Sequence, residues 1–298
     1  MRISVPEQMW IETFADLDAE IVVWDGSTPQ PDGHLDLVLW PYTLRPEAMR
    51  RVDPSRIGLI QGQSLGYDGI ADLLPSGATY ANAVGVHEAA TAELAVALLL
   101  AATRRLDEFR DAQRDHVWEK RWSRGVIDRR VLLVGVGGIG GEVLARLDGF
   151  GADVVRVGST ARADDRGQVY ETDELSDLLP TADAVVLAVP LTESTTGLVD
   201  ADFLARLPDE SVVVNVSRGK VVVTDAVVAE GGRIGFASDV FDPEPLPADH
   251  PLWTMPHTII TPHVGGMSSS MRTRVEALVR RQVARLAAGE EPDHIVVA

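Results

Sequence analysis

The chain of 298 residues has no cysteine. That excludes a disulfide framework, a thiolate nucleophile, an iron–sulfur cluster and any cysteine-ligated zinc, and no metal site is expected. Lysine is nearly missing as well. With only Lys120 and Lys220, almost every positive charge is a guanidinium, and Schiff-base chemistry is removed from most of the chain. No apolar run is long: the longest, Leu94 to Ala102, is about half of the ~20 residues that a bilayer span needs. The start, MRISVPEQMW, lacks the basic residues and apolar run of a signal peptide, so a cytoplasmic protein without a membrane partner is the expectation. Positive charge is scarce overall, since 27 Lys and Arg face 45 Asp and Glu for a net charge of −18. Such a surface repels phosphates and anionic lipid heads, so no nucleic acid partner is expected. What is present is an apolar fraction of 45%, too high for a disordered chain, on a length that allows one large domain or two ordinary ones.

The first ninety residues alternate short β-rich runs with polar or proline-containing connections. Glu20–Trp24, Leu35–Trp40 and Ile57–Gln61 read as strands, with segments such as Arg45–Arg51 read as helices between them, which suggests a small α/β unit with a parallel sheet. From Thr91 to Arg105 the pattern becomes a helix that is apolar nearly all round and is expected to be buried. A polar, tryptophan-containing stretch from Asp107 to Asp128 leads to a second alternation. Strands are expected at Arg130–Val134, Asp153–Val157, Asp183–Val189, Ser211–Asn215, Arg233–Ser238 and Thr258–Ile260, which describes a doubly wound sheet. A helical run from Ser268 to Ala288 and an apolar strand, His294–Ala298, close the chain.

The strand Val131–Val134 runs directly into Gly135-Val136-Gly137-Gly138-Ile139-Gly140 and then into helical spacing. A bare GxGxxG is common by chance, but this one has the strand and the helix that a pyrophosphate site requires. Gly135 permits the tight turn, Gly137 the close approach of backbone to the pyrophosphate, and Gly140 the packing of helix on strand. The acidic residue that usually binds the adenine ribose is missing after the next strand, where Gly158-Ser159-Thr160-Ala161-Arg162 stands instead. Two hydroxyls and Arg162 suit a 2′-phosphate, so NADP is favoured and NAD remains open.

Three later segments each end an apolar strand with chemistry: Val213–Gly219 with Arg218, Ala237–Leu246 with Asp239 and Glu244, and Ile260–Gly266 with His263. Singly, each has a bland reading as an ion pair, a solvated loop residue or a structural histidine. With these motifs in register the chain resembles the D-isomer-specific 2-hydroxyacid dehydrogenase family: AELAVALLLAATR at 92–104, GVGGIG at 135–140, VPLTESTTGLV at 189–199, VNVSRG at 214–219, SDVFDPEPLP at 238–247 and TPHVGG at 261–266. The likeness covers most of the chain from about Leu59 onward.

The resemblance implies roles. Arg218 would hold the substrate's carboxylate and keto oxygen, His263 would act as general acid, and Glu244 would orient His263 and raise its pKa. Asp239 would contact the nicotinamide carboxamide, with Val189, Pro190, Val216 and Ser217 beside the ring and Gly138, Ile139 and Gly265 also among the cofactor contacts. Gly62–Asp68 looks like the family's substrate loop, in which N–H groups near Leu65 and Gly66 would bind the carboxylate and form the other wall of a cleft. Ser64, Ser238 and Met267 depart from the family's usual residues. His87 reads as a capping or packing residue, and Trp118 and Trp122 as packing residues or part of a subunit contact.

The implied architecture is a Rossmann-type doubly wound parallel sheet, residues 93–275, inserted in a smaller flavodoxin-like α/β substrate domain, residues 1–92 plus 276–298, with hinges near Ala92–Ala102 and Met267–Arg281. No appended regulatory domain is expected. The implied activity is reduction of a small 2-oxo acid such as glyoxylate or hydroxypyruvate to the D-2-hydroxy acid by a homodimer. Formate or phosphite oxidation, and a dinucleotide-sensing corepressor, stay open as alternatives. Either way, Arg162, Arg218, a protonated His263 and the glycine-loop helix must make a positive pocket within an acidic surface.

Overall fold

The computed structural model describes residues 1–42 and 46–298. The chain divides into two compact units, one of Met1–His87 with Ser269–Ala298 and the other of Glu88–Ser268.

In the first unit, strands β1 (Arg2–Val5), β2 (Glu20–Val23), β3 (Leu35–Leu39), β4 (Ile57–Gln61) and β5 (Tyr80–Ala81) lie in the order β2-β1-β3-β4-β5, all parallel. That is the flavodoxin-like order. The C-terminal strand Ile295–Val297 adds antiparallel to β5. Alternation at period two sorts β3 between two cores: Leu37 and Leu39 join Ile3, Phe14 and the helix Ser270–Ala287, while Val38 joins Trp24, Ile60 and Tyr80 on the other face. Buried Gln282 of that helix donates to Gln61 Oε1 at 2.7 Å, fixing the end of β4 where a loop begins. The expected helix at Arg45–Arg51 is a 3₁₀ turn, Pro46–Arg51, because a helix of six residues with proline at its start is too short to propagate as α; Arg45 lies outside the described residues.

The second unit holds β6 (Arg130–Val134), β7 (Asp153–Gly158), β8 (Arg162–Asp164), β9 (Gly167–Glu171), β10 (Ala184–Leu187), β11 (Val212–Asn215), β12 (Gly235–Ser238) and β13 (Thr258–Ile260). Their order is β13-β12-β11-β10-β6-β7-β9-β8, parallel throughout except for the β8–β9 hairpin. Strand order reverses between β6 and β10, the switch point at which doubly wound sheets bind ligands. Both faces are covered, so the strands are near-continuous apolar runs. Val131 and Leu133 face the helices Glu88–Thr103 and Gly138–Leu147; Leu132 and Val134 face Leu179, Phe203 and Leu204. The helix expected at Thr91–Arg105 runs from Glu88 to Thr103 and is largely buried. The stretch after Asp107 begins as part of a further helix, Leu106–Arg114.

Candidate active site

The glycine loop leaves β6 at Gly135, whose φ of +103° needs glycine; a Cβ there would also lie 2.2 Å from the Ala188 carbonyl oxygen, which brings the loop against Val189. Gly140 is equally constrained, since its Cβ would lie 1.9 Å from the Gly135 oxygen. Gly137 differs. It stands at the N-cap of the helix Gly138–Leu147 with no side-chain cap, and a Cβ on it would meet no protein atom within 4 Å. Open space over uncapped N–H groups at a helix start fits a pyrophosphate, and a cavity of about 390 Å³ there is lined by Gly137, Gly138, Gly140, Arg156, Asp164 and Arg166.

Past β7, Ser159, Thr160 and Arg162 are exposed, and Arg162 Nη1 donates to the Thr160 oxygen at 3.4 Å. The hairpin β8–β9 brings a carboxylate that the local reading of 158–162 did not include. Asp164 is held by buried Arg156 through two hydrogen bonds of 2.9 and 2.7 Å, and Arg156 also donates to the Gly167 oxygen at 2.6 Å. The bonds from Arg156, with the Arg166 N–H, hold the Asp164 carboxyl below its usual range. Arg162 and Arg166 form no ion pair with a carboxylate among the described residues.

Past β11, buried Asn215 shapes the turn that presents Arg218. Its Oδ1 accepts from the Ser217 N–H at 3.0 Å and the Ser217 hydroxyl at 2.5 Å, while its Nδ2 donates to the Arg218 oxygen at 3.1 Å. Gly219 follows where a Cβ would sit 1.9 Å from the Phe241 oxygen, so the turn can pass β12 only with glycine there. Val216 and Ser217 are buried, Val189 half-buried and Pro190 exposed. The hydroxyl of buried Ser238 is satisfied by donating to the Val240 oxygen at 2.7 Å.

Past β12, buried Asp239 anchors the next segment. Its carboxylate accepts from the Thr261 hydroxyl at 2.7 Å and from the N–H groups of Val264 and Gly265 at 2.8 Å each. Three of about four lone-pair positions are thus used on the turn that carries His263. His263 itself has φ +54°, an uncommon backbone state for a residue with a side chain. Its Nδ1 lies 2.7 Å from Glu244 Oε2, and Glu244 Oε1 accepts the Phe241 N–H at 2.8 Å. With Nδ1–H donating to the carboxylate, Nε2 is left for proton transfer. The hydrogen bond that His263 donates to Glu244 raises the pKa of His263, against partial burial and the nearby Arg218. Burial pushes Glu244 up, but the bonds from His263 and the Phe241 N–H, with the charges of His263 and Arg218, outweigh it and leave the carboxyl low. Arg218 therefore acts on both members of the pair.

In the first unit, the loop after β4 starts at Gly62, where a Cβ would overlap the Tyr80 hydroxyl at 1.9 Å. Four successive carbonyls are then held. Gly62 accepts from Gln61 Nε2 at 2.8 Å, Gln63 from His87 Nε2, Ser64 from the Ala83 N–H at 2.9 Å and Leu65 from Asn82 Nδ2 at 2.8 Å. The N–H groups of Gln63, Ser64, Leu65 and Gly66 meet no acceptor among the described residues.

Within the second unit the structure brings together Glu244, His263 and Arg218, and around Gly135–Gly140 it brings Val189 and the hairpin. Sequence reasoning missed Asn215, Thr261 and the Arg156–Asp164 pair. Asn215 and Thr261 stand inside motifs quoted for their neighbours, so a signal existed; Asp164 carried none, because its partner Arg156 stands on β7 and only the fold of the β8–β9 hairpin brings the two together.

The family model of the D-isomer specific 2-hydroxyacid dehydrogenase NAD binding domain matches residues 96–265. A glyoxylate reductase of Korarchaeum cryptofilum is 33% identical over 253 residues, 81% of this chain and 76% of the relative. A glyoxylate reductase/hydroxypyruvate reductase of Mus musculus is 30% identical over 282 residues, 88% of this chain and 86% of the relative. In fold, the chain is similar to an NADPH-dependent glyoxylate/hydroxypyruvate reductase from Sinorhizobium meliloti solved with NADP and sulfate, at a TM-score of 0.82 and 23% identity, covering 99% of this chain and 97% of that one.

Proposed function

The chain belongs to the D-isomer-specific 2-hydroxyacid dehydrogenase family, and from that premise we propose that it reduces a small 2-oxo acid of the glyoxylate or hydroxypyruvate type to the D-2-hydroxy acid. The carrying observation is the His263–Glu244 pair with Arg218 beside it, at the C-terminal ends of strands whose first member opens into the glycine loop. When bound, a nicotinamide dinucleotide supplies the hydride. Gly135, Gly137, Gly138, Ile139 and Gly140 would hold its pyrophosphate, and Val189, Pro190, Val216, Ser217, Asp239 and Gly265 would line its nicotinamide end.

The chain's own groups do the rest. Arg218 binds the carboxylate and the carbonyl oxygen and draws electron density from the reacting carbon. His263 Nε2 gives its proton to that oxygen, and Glu244 keeps the ring protonated and turned toward it. Asp239 fixes the turn on which His263 stands. Leu65 and Gly66 offer N–H groups to the carboxylate, supported by the held carbonyls of their loop.

NADP is the dinucleotide in this reading, supported by Ser159, Thr160 and Arg162 after β7 and by the engagement of Asp164 with Arg156. No helix among the described residues is long and apolar enough to cross a membrane, and the proposal places the protein in the cytoplasm without a nucleic acid partner. It also makes the protein a homodimer. Trp118 and Trp122 are 94% and 97% exposed, and this apolar surface is what a second copy would cover.

The test is turnover by purified protein with glyoxylate, hydroxypyruvate and pyruvate against NADPH and NADH. Oxo-acid-dependent oxidation of NADPH with a D-configured product is expected. If none of these acids is consumed, the reading is wrong.

A further inference from the structure

We propose that His87 is a positioning residue that aims the Ser64 N–H as a third donor to the substrate carboxylate. This rests on the assignment of Leu65 and Gly66 to that carboxylate. In a trans peptide the C=O of one residue and the N–H of the next point in opposite directions, so holding a carbonyl fixes the following amide. The carbonyls of Ser64 and Leu65 are held by the Ala83 N–H and Asn82 Nδ2, which sets the amides of Leu65 and Gly66. His87 Nε2 holds the Gln63 carbonyl, and so sets the amide of Ser64. Consecutive N–H groups with one orientation make an anion-binding concavity.

Packing alone does not account for a histidine here. The ring is 5% exposed and stacks on Tyr42 with centroids 5.4 Å apart and planes at 29°, a place that a phenylalanine would fill. Because the Gln63 oxygen can only accept, the proton sits on Nε2, and Nδ1 is left as a buried acceptor with no donor among the described residues. Such an orphan is a cost that an apolar ring would avoid. What the imidazole adds is the Nε2–H bond to Gln63. The side chain of Gln63 strengthens the case, since it is itself buried and donates to the Trp40 oxygen at 2.9 Å, so both ends of the residue are fixed.

The test compares His87→Phe, which keeps the stacked ring and deletes the donor, with His87→Gln, whose amide nitrogen can replace Nε2. Glyoxylate kinetics, NADPH affinity and hydrogen exchange of the peptide covering 62–69 are measured on the whole protein. His87→Phe should raise the KM for glyoxylate about tenfold, the worth of one hydrogen bond to a charged group, with kcat within about twofold, NADPH affinity unchanged and faster exchange at 64–66. His87→Gln should recover most of the KM and the slow exchange. Unchanged KM and unchanged exchange in His87→Phe would overturn the inference, as would a loss in NADPH affinity and kcat that His87→Gln does not repair. Faster exchange with unchanged KM would show that His87 holds the loop but that the Ser64 N–H does not bind the carboxylate, which overturns the inference and leaves the assignment of Leu65 and Gly66 standing. A wild type that turns over none of glyoxylate, hydroxypyruvate and pyruvate overturns both before any variant is compared, and where another of these acids is the better substrate its KM replaces that of glyoxylate.

Discussion

Gly137 caps the helix Gly138–Leu147 and Gly140 lies in its first turn, three residues on, and the structure predicts opposite outcomes when each is changed to alanine. At Gly137, φ is −75° and ψ −160°, a state open to alanine, and the added methyl would meet no protein atom within 4 Å. Alanine is a poorer N-cap than glycine but lowers the entropy of the unfolded chain, and the two effects nearly cancel, leaving stability within about 0.5 kcal/mol. The methyl occupies the space assigned to the pyrophosphate. Losing two charge-assisted hydrogen bonds at about 1.5 kcal/mol each weakens NADPH binding by about 3 kcal/mol, or roughly 100-fold in Kd. At Gly140 the methyl would lie 1.9 Å from the Gly135 oxygen, so helix and strand must separate, and a stability loss of about 3 kcal/mol is expected. Calorimetric titration with NADPH, paired with urea denaturation, reads both quantities on each variant. Full NADPH affinity in a normally stable Gly137→Ala protein would refute the assignment of this loop to the pyrophosphate.

Other perturbations test the remaining parts. His263→Ala should lower kcat by about 10²–10⁴ while NADPH affinity survives; retained turnover would remove His263 from proton transfer, and lost affinity would point to a cofactor-binding role instead. Reduction consumes the Nε2 proton, so its rate is full below the pKa of His263 and falls as pH rises through it. Because Glu244 raises that pKa, Glu244→Gln should move the falling limb of kcat toward lower pH, and a limb that stays in place would contradict the pairing. Arg162→Glu should weaken NADPH binding about tenfold or more and leave NADH nearly unaffected, as separate titrations would reveal. Trp118→Ala with Trp122→Ala should produce monomers in sedimentation velocity; an unchanged dimer would mean that this segment is not the contact.

How far the chain could be read depended on what each element needed from outside itself. Ile57–Gln61, Arg130–Val134 and Thr258–Ile260 are strands at the residues expected, because a buried parallel strand announces itself as a short apolar run. The hairpin Arg162–Asp164 with Gly167–Glu171 was not legible: β8 is wholly exposed, β9 buries only Val169 with Tyr170 half-buried beside it, and neither carries an alternating apolar face. Tyr80–Ala81 is too short to hold any period. In the site, Arg218, Glu244 and His263 stood out as residue types ending apolar strands. What could not be read was who supports them. Asp239 is tied to Thr261, Val264 and Gly265 across 22 to 26 residues, and only folding makes them neighbours.

The loop after β4 offers main-chain amides rather than side-chain cations. Amides do not titrate and, proline aside, no substitution removes them. The side chains at 64 and 65 are therefore free to change while the donors stay, and the departure at Ser64 alters little that a carboxylate would sense. In the proposed reading, recognition at that end is written in the path of the backbone, and the one-letter codes disclosed it only through the likeness of Gly62–Asp68 to a known loop.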